Sequence, residues 1–199
     1  MMKAIVFDIG NVLIDWDPVP PFLDALGSEA AVRDFLARVD FNSRNLRADG
    51  GARFADLAAE LPDPEDRALL GLYLSNFAVS LVRAVEGTWT LLGRLRDAGH
   101  PIHAITNWSA ETWPAGVRAH PRLGEVFGTV IVSGEVGMLK PDPAIFRLFC
   151  ARAGLAAQDC LFIDDKPENC AGAESIGMAA VHFTSPAALE ADLQRHGLL

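Results

Sequence analysis

The chain has 199 residues, half of them hydrophobic, and a formal net charge of −9. That length suits one domain, or one domain carrying a modest insertion, and that composition excludes a disordered chain. The acidity argues against a general nucleic-acid or anionic-membrane binder, because either needs a basic footprint. No apolar run reaches the roughly 18 residues that a membrane-crossing helix requires.

The apolar stretch after Lys3 stops at Asp8, too early for a secretory signal. Cys150, Cys160 and Cys170 are an odd set without metal-ligand spacing and are read as reduced, buried thiols. A cytoplasmic protein is the expectation.

In chain order, Ala4, Ile5, Val6 and Phe7 form a short β-prone apolar run, the pattern of a strand buried on both faces of a parallel sheet. Asp8 ends the run, and Gly10 and Asn11 follow as turn formers. A carboxylate thus sits at the C-terminal end of the first strand, where open α/β sheets place their ligands. From about Pro21 to Glu86 no strand pattern appears. Phe22, Leu23, Leu26, then Val32, Phe35, Leu36 and Val39, then Leu57, Ala58 and Leu61 recur at helical spacing. Ser28 is a plausible N-cap. Asp63-Pro64 opens a further helix whose apolar face is expected to run from Leu69 through Tyr73 and Phe77 to Leu81. An all-helical connection of this length in an α/β domain suggests a lid or inserted subdomain.

From Gly87 onward strands and helices alternate. Strands are expected at 101–106, 129–132, 160–163 and 178–183, with helices between them, including one opened by Asp142-Pro143 and closed by Gly154. This alternation implies βαβ units and a doubly wound parallel sheet. Asp8, Thr106-Asn107 and Asp164-Asp165 all fall at C-terminal strand ends and should converge, joined by Lys140 from the loop GMLKPDP.

Crowded carboxylates repel unless a cation bridges them. All-oxygen ligands with open positions favour Mg²⁺. Mg²⁺ with a lysine and a hydroxyl can bind a phosphoryl group, and a remaining carboxylate can attack phosphorus to give an aspartyl phosphate.

On these residues the chain resembles the haloacid dehalogenase superfamily, on its phosphatase side. FDIGNVL is similar to the family's first motif, Ile105–Asn107 to its second, Lys140 in GMLKPDPAIF to its third, and Phe162–Met178 to its fourth. The resemblance covers the whole chain. It implies a Rossmann-like α/β core at 1–15 and 87–199 and an α-helical cap at 16–86. It implies Asp8 as nucleophile and metal ligand, Gly10 as a ligand through its carbonyl, and Thr106, Asn107 and Lys140 as phosphoryl-binding groups, with Lys140 also steadying Asp8. Asp165 is favoured as a direct metal ligand and Asp164 as a ligand or its support. Asn169 resembles a position that buttresses the acidic loop.

The resulting expectation is a Mg²⁺-dependent phosphatase for a small phosphorylated metabolite, sugar phosphates being one class, with no nucleic-acid or membrane partner. The alternatives are a 2-haloacid dehalogenase and a catalytically silent phospho-ligand binder. One departure stands out. The family's phosphatases usually carry a second Asp two residues after the nucleophile, and here that position is Gly10. Gly10 is expected to serve a loop conformation that suits a residue without a side chain. With no acid there, good leaving groups should be preferred, and Asp15, Asp17 and Glu111 are the replacements to consider. Trp16 and Trp108 flank the motif loops and are read either as pocket wall or as packing, Trp113 as packing, and His103 as structural.

Overall fold

The computed structural model describes residues 3–199. Its seven strands are β1 (Ala4–Phe7), β2 (Ile14–Trp16), β3 (Leu81–Ala84), β4 (Ile102–Thr106), β5 (Val130–Val132), β6 (Cys160–Asp164) and β7 (Ala179–His182). Five of them form one parallel sheet in the order β5-β4-β1-β6-β7. The chain winds outward from β1 to β4 and β5, then returns to the other side of β1 for β6 and β7. The order therefore reverses at β1, and a crevice is expected beside its C-terminal end.

The alternation of side chains across the sheet separates two apolar layers. Ile5 and Phe7 face a large cluster containing Leu91, Leu92 and Leu95 of α6 (Glu86–Asp97) and Leu189 and Leu193 of α11 (Pro186–Arg195). Ala4 and Val6 face a smaller one with Ile145, Phe146 and Phe149 of α9 (Pro143–Ala153) and Ala173 of α10 (Pro167–Glu174). All four β1 residues are buried, which is why that strand reads as unbroken apolar sequence.

The expected caps are in place. Asp63, Asp142 and Ser185 accept hydrogen bonds from the first-turn N–H groups of Glu65, Ala144 and Ala188, each with proline opening the helix behind it. Ser28 caps α2 (Glu29–Arg38) by accepting from the Ala31 N–H. Gly154 closes α9 in the left-handed conformation.

The segment read as strandless is framed by strands. β2 and β3 pair antiparallel, with Ile14 opposite Ala84, and between them lie α1 (Leu23–Leu26), α2, α3 (Phe41–Asp49), α4 (Phe54–Ala59) and α5 (Pro64–Asn76). The helical face expected to reach Leu81 stops short: α5 ends at Asn76, a 3-10 turn spans Phe77–Ser80, and Leu81 begins β3. Tyr73 is the hub of this block, with Phe22, Phe41, Phe54 and Phe77 all ringed around it at centroid distances of 5.0–6.0 Å. The same apolar cluster continues without a break into one face of the parallel sheet.

The small residues of α10 allow a close approach. A Cβ on Gly172 would lie 2.3 Å from the Pro141 carbonyl oxygen and 3.0 Å from the Phe146 ring. Gly172→Ala is therefore expected to cost about 1–3 kcal/mol through overpacking, seen as a lower denaturant midpoint. Gly93→Ala is the control, since its Cβ would meet nothing within 4 Å and alanine favours the helix. Equal stability of the two variants would contradict the close approach.

Candidate active site

The C-terminal ends of β1, β4 and β6 bring Asp8, Thr106-Asn107 and Asp164-Asp165 together, and the loop before α9 adds Lys140. The Lys140 ammonium lies 2.8 Å from Asp8 Oδ1 and 2.6 Å from Asp164 Oδ2, and donates to the Ile105 carbonyl at 3.0 Å. It is 3% exposed. Burial alone would lower its pKa, but Asp8 and Asp164 raise it above the usual lysine value, so the group is charged. Asp8 Oδ1 also accepts from the Ile9 N–H at 2.7 Å. Burial pushes the Asp8 carboxyl up to about 7 against the pull of Lys140, with Asp164 and Asp165 adding to the upward push.

The two adjacent aspartates have different surroundings. Asp164 is fully buried, and its oxygens are taken by Lys140, by the Lys166 N–H at 2.8 Å and by Asn169 Nδ2 at 2.9 and 3.1 Å. Asp165 lines the open cleft beside Asp8, Gly10 and Lys140, and burial with the charge of Asp164 raises its pKa. Carboxylate oxygens of Asp8, Asp164 and Asp165 lie within 4.8 Å of one another. An all-oxygen donor set with a raised proton affinity fits a hard divalent cation such as Mg²⁺.

The second motif is divided in its tasks. Thr106 is 1% exposed, and its Oγ1 has no hydrogen-bond partner among the described residues. A buried hydroxyl without a partner is costly; Thr106 itself does not line the cleft, whereas the neighbouring Asn107 does. Asn107 instead clamps the third motif. Its Oδ1 accepts from the Lys140 N–H at 2.9 Å and its Nδ2 donates to the Lys140 carbonyl at 3.0 Å.

Gly10 lines the cleft, but not for the conformational reason expected. Its φ is not in the left-handed region, and a Cβ there would meet nothing within 4 Å. The left-handed residue of this turn is Asn11, at φ 57°. A side chain at position 10 is sterically permitted, so that expectation is corrected.

The cleft encloses about 140 Å³. Its floor is polar; its upper wall is Trp16, Leu46, Tyr73, Phe77, Leu81 and Trp108, with Asn45 and Asp49 among them. Trp16 is fixed by donating from Nε1 to the Tyr73 hydroxyl at 3.1 Å. Trp108 packs edge-on against Trp113, which stands behind it. Both flanking tryptophans are thus wall and Trp113 is support. His103 is structural, its Nδ1 accepting from the Thr129 N–H at 3.0 Å.

The three substitute acids named from sequence lie elsewhere. Asp15 pairs with Arg83, Asp17 accepts from the Val19 N–H, and Glu111 accepts from the Phe54 N–H at the start of α4. The sequence reading missed Asn45, Asp49 and Lys166, all of which line the cleft. One signal for Asp49 was present: it ends a helix, where the macrodipole disfavours a carboxylate.

Known proteins share the fold and part of the sequence. The chain is 24% identical over 193 residues to the sesquiterpene phosphatase astK of Aspergillus oryzae, covering 97% of this chain and 95% of the relative. It is 28% identical over 212 residues to hexitol phosphatase A of Escherichia coli, covering 98% and 91%. Among solved structures, a haloacid dehalogenase-family enzyme of Bacteroides thetaiotaomicron, in complex with magnesium and inorganic phosphate, superposes with a TM-score of 0.73 at 20% identity over 93% of this chain and 95% of the other. The model of the haloacid dehalogenase-like hydrolases matches residues 2–177, and the chain belongs to that family.

Proposed function

We propose that the protein is a Mg²⁺-dependent phosphatase that hydrolyses a small phosphomonoester through an aspartyl phosphate on Asp8. The observation that carries this reading is the Lys140 ammonium held between Asp8 and Asp164 while Asp165 remains open to the cleft. Asp8 Oδ1 is oriented by Lys140 and the Ile9 N–H, which leaves Oδ2 to attack phosphorus. Asp8, Asp165 and the Gly10 carbonyl would hold Mg²⁺, with Asp164 as their support. When bound, the ion supplies positive charge for the phosphoryl oxygens. Lys140 supplies a second positive charge. The unpartnered Thr106 hydroxyl and the Asn107 backbone complete the phosphoryl seat.

The helical block between β2 and β3 acts in this reading as a cap. Its aromatic wall of Trp16, Tyr73 and Phe77, facing Trp108 of the core, receives the organic part of the substrate and excludes water. The phosphatase names of the two curated relatives support a phosphorylated small molecule as substrate. A 2-haloacid dehalogenase shares the nucleophile, but metal-free carbon–halogen chemistry gives the acidic pair Asp164-Asp165 no task.

Phosphate release should require Mg²⁺, stop on chelation and resume on readdition. Asp8→Asn should reduce it to background while the chain still folds, because the amide is isosteric and Asp164 still pairs with the Lys140 ammonium. Turnover that survives chelation, or halide release from a 2-haloacid without metal, would overturn the reading. Asp165→Asn should raise the Mg²⁺ concentration needed for half-maximal binding by at least about tenfold, measured by calorimetry as well as by activity. Unchanged Mg²⁺ affinity would remove Asp165 from the ligand set.

A further inference from the structure

The cleft holds a carboxyl that the chemistry just described does not use. Asp49 is the last residue of α3, and it reaches the cleft from the helical block rather than from the sheet. Its position is fixed from both sides. Its backbone carbonyl accepts from the Ser133 hydroxyl at 2.6 Å, and Ser133 Oγ in turn accepts from the Trp108 N–H at 2.9 Å. Its Oδ2 accepts from Asn45 Nδ2 at 3.1 Å. The end of α3 is thereby tied to the core loop that carries Trp108, with the carboxyl over the same cleft as Asp8.

We propose that Asp49 is the general acid and base of the reaction, in place of the side chain that Gly10 lacks. The proposal rests on the phosphatase reading above and deepens it. In the first step Asp8 Oδ2 forms a bond to phosphorus as the bond from phosphorus to the leaving oxygen breaks. The electron pair goes to that oxygen, and the Asp49 carboxyl gives it a proton. In the second step water attacks the phosphorus of the aspartyl phosphate, and its proton passes to the Asp49 carboxylate. The bond from phosphorus to Asp8 breaks, leaving inorganic phosphate, a free Asp8 and a protonated Asp49 ready for the next cycle.

The surroundings of Asp49 suit both halves of this cycle. Burial pushes its carboxyl up to about 7, while the Ser109 N–H, Lys166 and Lys140 pull it down. The C-terminal end of α3 acts in the same direction as burial. A group balanced near neutrality can both give and take a proton. Besides Lys166 and Lys140, Tyr73 acts on the same carboxyl; burial holds its hydroxyl well above its usual value, so it stays neutral. The remaining acids near the motif loops are occupied: Asp15 by Arg83, Asp17 and Glu111 by backbone N–H groups.

Leaving-group dependence tests this. A proton donor matters most for a poor leaving group, and general acids contribute about 10²–10⁴-fold. The wild type is assayed with Mg²⁺ on an alkyl phosphate, on p-nitrophenyl phosphate and on acetyl phosphate, beside Asp49→Asn and Asp8→Asn. Asp49→Asn should lose about 10²-fold or more on the alkyl ester and less than about tenfold on acetyl phosphate in the step that forms the aspartyl phosphate. Gly10→Asp in the Asp49→Asn background should restore part of the alkyl rate, since the added side chain has open space. The step is read as the burst of leaving group in a single turnover, because hydrolysis of the shared aspartyl phosphate is the same for all three substrates. An equal loss of that burst on all three, or no loss, with Asp8→Asn still inactive, overturns the role of Asp49 as proton donor and leaves the phosphatase reading standing. No phosphate release by the wild type from any of the three overturns both.

Discussion

A buried ammonium cannot stand without counter-charges, and Lys140 has two: Asp8 from β1 and Asp164 from β6. Removing one partner of such a pair costs about 3–5 kcal/mol, because a buried charge is left uncompensated. The pairing therefore fixes how the first strand, the sixth strand and the loop before α9 meet. The Asn107 amide holds that loop by two hydrogen bonds to the Lys140 backbone, and Gly172 lets α10 press against the Pro141 carbonyl. A site with two anions and one cation in its floor keeps a net negative charge, and Asp165 adds to it. A divalent cation is the kind of ligand that would relieve this electrostatic surplus.

Most of this arrangement was legible in the sequence because it follows from local rules. The strands of the parallel sheet are short apolar runs ended by polar residues, and four helices begin at a Ser or Asp that accepts a first-turn N–H. Carboxylates at the ends of two such runs must converge if the sheet is parallel. β2 and β3 were not legible. They are three and four residues long, and Val82 and Arg83 of β3 are exposed, so no period-two pattern develops. Leu81 continued the helical spacing of α5 by coincidence of position, and only the 3-10 turn at Phe77–Ser80 separates them.

Asp49 escaped for a different reason. In the sequence it stands in RADGG, a polar stretch that reads as a solvated helix end. Its burial comes from contacts that are distant in the chain, with Ser133 and the loop of Trp108. The three acids chosen instead were near the motifs in sequence, and each is consumed by a partner outside the cleft: Arg83, the Val19 N–H and the Phe54 N–H. Nearness along the chain was a poor guide because the cleft is built from both the sheet edge and the helical block. If the proton donor belongs to that block, closure of the helices over the sheet is a chemical requirement as well as a steric one. An open protein would hold the nucleophile without the acid. Specificity and protonation would then share one movement, and a substrate that fails to draw the helices down would be bound but not cleaved.

The central claim is covalent: phosphorus passes through Asp8. The most direct measurement is rapid acid quench of the wild-type protein during turnover of acetyl phosphate with Mg²⁺, followed by proteolysis and mass spectrometry of the peptide that contains Asp8. The account predicts the added mass of one phosphoryl group on Asp8, appearing within the first turnover and lost on treatment with hydroxylamine. A peptide that remains unmodified while phosphate is released at the full rate, or a phosphoryl group found on another residue, would contradict it.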